Sequence, residues 1–231
     1  MFIRVGLEVL GPGRVLAWGL DFPGCFAYGS DDAEAMLRFA GNLLNFGAWV
    51  GLHTDTPWFQ LGNVDFRLVE AYKGAELPVG KNADASSAFF EDDFRPLQQD
   101  ECANVLAVFR WQREELLAGL EFIPVELMGR KSPGETRTIR EVVLRAARTE
   151  LLYLNKLDLN VPPLPDDAAP IDALQFSQEQ ITTRLMGLVE NPVVLEVDGE
   201  LWSCRKLARR LLWHQRVQID EIKRLAGMPG A

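Results

Sequence analysis

Histidine is nearly missing from this chain. His53 and His214 are the two in 231 residues, and the three cysteines (Cys25, Cys102, Cys204) are widely separated with no CxxC pair. That spacing is against both a disulfide framework and a thiolate zinc site, and it fits a reducing cytoplasm. Basic residues are also in deficit, 24 Lys and Arg against 33 Asp and Glu, for a formal net charge of −9. No stretch is basic enough to leave the footprint that phosphate-backbone contacts require, so nucleic acid is not expected as a partner. No window reaches the ~18 apolar residues of a membrane span. The opening "MFIRVGLEVLGPGR" alternates and breaks at Gly11-Pro12-Gly13 without a basic leader before an apolar run. Neither a classical export signal nor a membrane partner is therefore expected. A Gly-rich phosphate loop, a Ser-His-Asp order and a DxDxDG calcium loop are missing too, so no catalytic residue is assigned.

What is present divides in two. A chain of 231 residues exceeds the commonest single-domain size. Residues 1–100 carry seven Lys/Arg against fourteen Asp/Glu, whereas 101–231 carry seventeen against nineteen, so the halves differ in character. In the first half Ile3, Val5, Leu7 and Val9 alternate with polar or small residues, the period of a half-buried strand. "GPG" turns the chain, "RVLAWGL" is a return strand and "DFPGCFAYG" a third extended segment, giving a meander. Asp31 with Glu34 fits a capping box, and Ala35, Leu37, Phe39, Ala40, Leu43, Leu44, Ala48 and Trp49 supply a broad apolar helical face. "NVDFRLVEAY" adds a fourth strand through Val64, Phe66 and Leu68.

The pattern fails between Gly74 and Pro96, where "KGAELPVGKNADASSAFFEDDFRP" reads as a linker whose Phe89, Phe90 and Phe94 dock onto a neighbouring surface. Helical periods follow over 98–121, 137–156, 172–190 and 203–226, separated by Pro- and Gly-rich stops, with Ser203 as an N-cap. Four amphipathic helices of this length imply a bundle. "VVLEVDGEL" predicts a short hairpin around Asp198-Gly199. The expected fold class is thus α+β, a small antiparallel sheet with one helix (1–73), a linker (74–96) and a four-helix bundle (97–231).

Two family resemblances follow from these motifs. Residues 3–49, through "FPGCFAYGSDDAEAM", resemble the HicB-like antitoxin fold, over about 70 residues if the fourth strand belongs to it. Residues 98–226 resemble the DinB-like four-helix bundle, through "TIREVVLRAARTELLYL" and "ELWSCRKLARRLLWHQRVQIDEI". The second resemblance implies a divalent-metal site of three histidines, one on the second helix and two in an HxxxH on the fourth. Matched position by position, these fall on Arg145, His214 and Gln218, so one ligand of three survives. An arginine does not deprotonate to ligate, and a glutamine amide is a poor donor to zinc or nickel. No metal and no cofactor are expected.

The spacing of the fourth helix agrees that these positions face inward, because Leu207, Leu211, His214, Gln218 and Ile222 form one continuous stripe. His214 and Gln218 are read either as a buried, hydrogen-bonded polar pair or as a former metal site. Arg145 is read either as an i−4 ion pair with Glu141 or as a cation in the vacated metal position, poised for an anionic group. Cys25 reads as a small buried hydrophobe, His53 as a loop residue, and the six tryptophans as packing for the two cores and their contact. The functional expectation is a DinB-like binding or regulatory module for a small molecule or protein partner, with a homodimer left open. The alternatives are a thiol-dependent transferase of the DinB-like type and a relative of HicB-type antitoxins.

Overall fold

Alternation in the first ten residues becomes a strand, β1 (Phe2–Gly11), which turns at Gly13 (φ +69°) into the antiparallel β2 (Arg14–Gly19). The structure is a computed structural model, and it describes residues 2–56, 64–73 and 86–227. It divides into two units, Met1–Arg95 and Pro96–Ala231. The described residues form an α+β protein. None of their helices is long and apolar enough to cross a membrane.

In the first unit β2 pairs antiparallel with β3 (Phe26–Gly29), and the helix α1 (Asp32–Gly51) then lies against β3 and β2. Asp31 caps α1 by accepting from the Glu34 amide at 2.8 Å, and the Glu34 carboxylate reaches back to the Ser30 amide at 2.7 Å. The last strand, β4 (Asp65–Lys73), pairs with β1, giving the order β3-β2-β1-β4. That pairing is parallel, so the sheet is mixed and not the antiparallel one expected. The reason is the helix: parallel neighbours need a crossover, and α1 supplies it between β3 and β4. Ile3, Val5, Leu7, Val15 and Ala17 face Phe39 and Leu43 of α1 across the core. Leu37 and Leu44, counted in the apolar face, are 76% and 56% exposed, so the buried stripe is narrower than the pattern implied. Gly29 is required where α1 starts, because a Cβ there would stand 2.2 Å from the Ala35 nitrogen. His53 lies in the exposed turn after α1, and Cys25 is buried.

The other face of this sheet is covered by residues 86–93. The Glu8 carboxylate, buried to 1% exposure, accepts from Ser86 Oγ (2.6 Å), the Ser87 amide (2.7 Å), the Ala88 amide (2.9 Å) and Trp18 Nε1 (3.0 Å). Phe90 is fully buried over Gly6, whose missing side chain leaves the space for the ring. Phe89 meets Phe94 edge-on at 5.0 Å, and Phe94 stays half exposed. Residues 86–95 therefore belong to the first unit. Residues 74–85 of the expected linker lie outside the described residues.

In the second unit four long helices appear close to the expected positions: α2 (Gln99–Glu121), α4 (Ile139–Asn155), α5 (Pro170–Leu185) and α6 (Cys204–Leu225), with a single-turn α3 (Val125–Met128) between the first two. They pack in a ring, α2 on α6, α6 on α4, α4 on α5 and α5 on α2. Pro170 starts α5 at a position that tolerates a missing amide, two residues before the expected start. A 3-10 turn, Met186–Leu188, ends it early. The hairpin forms from β5 (Val194–Val197) and β6 (Glu200–Ser203), with Asp198 (φ +56°) and Gly199 (φ +76°) making the doubly left-handed turn that two-residue hairpins favour. Ser203 then caps α6, its hydroxyl accepting from the Lys206 amide at 3.3 Å.

Candidate functional site

The site begins with the cap of α4. Thr138 and Glu141 exchange hydrogen bonds in a full capping box at the start of the helix, and Arg145 follows one turn after Glu141. The Glu141 carboxylate is taken up by the Thr138 amide and hydroxyl. Arg145 crosses to α6 instead, where its Nη2 donates to Gln218 Oε1 and to Glu221 Oε2, each at 3.0 Å. Glu221 also faces Arg137 at 3.6 Å, so two guanidinium groups converge on one carboxylate.

On α6 the inward stripe is as its spacing implied: Leu207, Leu211, His214, Gln218 and Ile222 are all buried. Arg145 and Gln218 are in direct contact. His214 keeps different company, its ring edge-on to Tyr153 of α4 at 5.7 Å. Tyr153 is eight residues from Arg145, about 12 Å along the helix at 1.5 Å per residue. The three positions thus line one α4–α6 seam, with Arg145 and Gln218 at one level and His214 at the next.

That seam does not fit the divalent ion implied by the DinB-like resemblance. A permanent cation stands at one ligand position, and the glutamine oxygen that could have faced a metal accepts from it. Among the described residues, no group of three or more His, Cys, Asp or Glu is arranged to hold a metal ion. What the seam offers chemically is a fixed cation, a buried imidazole and a buried amide whose Nε2 meets no acceptor among the described residues.

Beyond His214 the seam continues into an aromatic and cationic cluster. Arg210 Nη2 donates to the Tyr153 hydroxyl at 2.8 Å, and its guanidinium lies over the rings of Tyr153 (5.2 Å) and Trp213 (4.8 Å). Trp202 of β6 packs against Tyr153 with ring centroids 5.3 Å apart. Lys206 is buried, paired with Glu200 at 2.7 Å, hydrogen-bonded to the Leu201 carbonyl at 2.8 Å and set over Trp202 at 4.9 Å. Burial pushes its ammonium down to about 8 against the opposing pull of Glu200.

Motif reading passed over a second polar site in the bundle core. Arg113 of α2 donates through Nη2 to both oxygens of Glu150 of α4 at 2.7 and 2.6 Å, and Ser177 of α5 donates to Glu150 at 2.7 Å, all three fully buried. Phe109 lies 5.0 Å beneath the guanidinium. The signal was available in sequence: Val143, Ala146, Ala147, Glu150 and Leu154 share one helical stripe, and a charge on such a stripe needs a buried partner. An open groove of about 420 Å3, lined by Leu117 of α2 with Gln175, Gln178, Glu179, Thr182 and Thr183 of α5, lies on the bundle edge opposite the α4–α6 seam and contains none of the candidate residues.

Comparison with known proteins finds no matching family model, no matching curated protein and no matching solved structure.

Proposed function

We propose that this chain is a binding or regulatory module in which the metal position of a DinB-like bundle is given over to a protein cation. The observation that carries the reading is the Arg145 bridge to Gln218 and Glu221. A guanidinium held between a buried amide and a carboxylate keeps the seam closed without a metal and leaves a positive charge at one end of it. The ligand this favours is a small molecule or a protein segment with an anionic group, competing with Glu221 for Arg145. The transferase alternative needs an ion to activate a thiol, and Arg145 and Gln218 do not supply its ligands. The antitoxin alternative draws support from the first unit's sequence motif alone.

Titration of the protein with zinc and nickel tests the reading. The expected result is no binding that depends on His214 and no change in melting temperature on treatment with a chelator, since a metal bound only by the folded state would raise that temperature. One equivalent of zinc or nickel, lost in His214→Ala and removable with a fall in melting temperature, would refute it.

A further inference from the structure

From Phe39 to Thr54 the chain carries no Asp, Glu, Lys or Arg. Most of that run is the C-terminal part of α1, whose inner stripe of Ala35, Phe39 and Leu43 is buried in the core against the sheet. The opposite face is open to solvent. Leu37 is 76% exposed, Leu44 56% and Leu52, at the helix end, 84%, and Gly41 and Ala48 between them are exposed as well. A solvated helix face ordinarily carries charge, and single leucines scattered over a surface are common. Three exposed leucines in one line with small residues between them are a continuous apolar strip.

The strip alternates large and small at heptad spacing, since Leu37, Gly41, Leu44 and Ala48 follow one another at four, three and four residues. Set antiparallel on a second copy, about a two-fold axis between Asn42 and Leu43, the pattern complements itself. Gly41 faces Leu44, Leu37 faces Ala48, and Leu52 falls level with the exposed Ala33, so a large side chain meets a small one at every level. A parallel pairing would set glycine on glycine and leucine on leucine, leaving a gap beside a crowded layer. Charge argues the same way: the net charge of −9 opposes contact between copies, and that repulsion is least across an uncharged face. We propose that the outer face of α1 is a homodimer interface, formed by antiparallel packing on α1 of a second copy. A helix of 20 residues is about 30 Å long, and two packed along that length bury on the order of 1,000 Å2 together, the size at which weak, specific association begins.

Sedimentation velocity of the full chain over a range of concentrations is the test, and a reversible monomer–dimer equilibrium is expected. A Cβ at Gly41 meets no atom within 4 Å, so Gly41→Leu suits the monomer while filling the space that Leu44 of the second copy takes. Gly41→Leu and Leu44→Lys each lose the dimer and stay folded by circular dichroism. Gly41→Leu with Leu44→Ala exchanges the large and small positions and recovers it. For the direction, Leu37→Cys chains mixed with Ala48→Cys chains form a disulfide-linked pair in air, which neither variant forms alone. A chain that stays monomeric up to about 1 mM overturns the proposal. A dimer unaffected by Gly41→Leu and Leu44→Lys, or linkage of Leu37→Cys chains to one another in place of the mixed pair, does so too. A monomer that binds phosphatidylcholine vesicles, with binding lost in Leu44→Lys, would assign the strip to a lipid surface instead.

Discussion

Glu150 is the residue on which the bundle core is most exposed to a single change. Its carboxylate accepts from Arg113 Nη2 and Ser177 Oγ at once, and all three residues are fully buried. Glu150→Ala strands a buried guanidinium, and breaking a buried pair from one side costs about 3–5 kcal/mol. Replacing both partners with apolar groups of similar size removes the charge along with its partner. Urea unfolding should therefore show a large loss of stability in Glu150→Ala, most of it recovered in Arg113→Met with Glu150→Leu; equal losses in both would mean the site is limited by packing volume. The seam allows the opposite kind of change. Arg145→His with Gln218→His puts a second imidazole one turn from His214 on α6 and a third on α4, the set that the resemblance implies. Calorimetric titration should then detect zinc or nickel binding that the unsubstituted chain lacks. A folded double variant with no gain would show that the positional match at Arg145, His214 and Gln218 is wrong. Of these residues, His214 and Gln218 were legible as inward-facing from their spacing alone. The Arg145–Glu221 pairing was not, because the Glu141 alternative lies on the same helix and the true partner lies 76 residues away on another.

At the scale of elements, local signals were read well and remote ones poorly. Ser203 at the start of α6, Asp31 with Glu34, and Asp198-Gly199 each act within a few residues, and each stands where the sequence placed it. The polar half of the strap over the first sheet was not legible, since nothing near Glu8 announces that Ser86, Ser87 and Ala88 will close on it, whereas Phe90 docks as its apolar cluster implied. Glu8→Leu removes the buried carboxylate that accepts from all three and from Trp18 Nε1, at an expected cost of about 3 kcal/mol. Limited proteolysis should then cut within 86–93 sooner than in the unsubstituted chain, and equal rates would show that Phe90 alone holds the strap. The hairpin and α6 meet at Lys206, and here the sign of the pH dependence follows from burial. The ammonium is pushed down to about 8 from an ordinary value of 10.5, so between these values the unfolded chain binds the extra proton. The contribution of this group to stability therefore rises as pH climbs through that window. Denaturant unfolding at pH 7 and pH 10 should show a rise that Lys206→Met lacks.

For the whole molecule, the α+β class and the division into two units followed from composition and period, because a change from strand to helical spacing survives without any knowledge of contacts. The direction of β4 did not. Whether a fourth strand joins parallel or antiparallel depends on where α1 delivers the chain, and no pattern inside "NVDFRLVEAY" encodes it. That parallel pairing has a kinetic side. The β1–β2 hairpin closes over a handful of residues, Val9 against Val15, while β1 and β4 join Phe2 to Asp65. Each doubling of a loop adds about 0.6 kcal/mol of closure entropy, and non-local pairing is correspondingly slow to form. The order of assembly in the first unit is then hairpin, helix, and finally β4 as a strand added at the rim. Being last on, it is also first off: in native-state hydrogen exchange the amides of 65–73 should open to solvent at lower free energy than those of 14–19, through partial unfolding that leaves the hairpin and α1 in place.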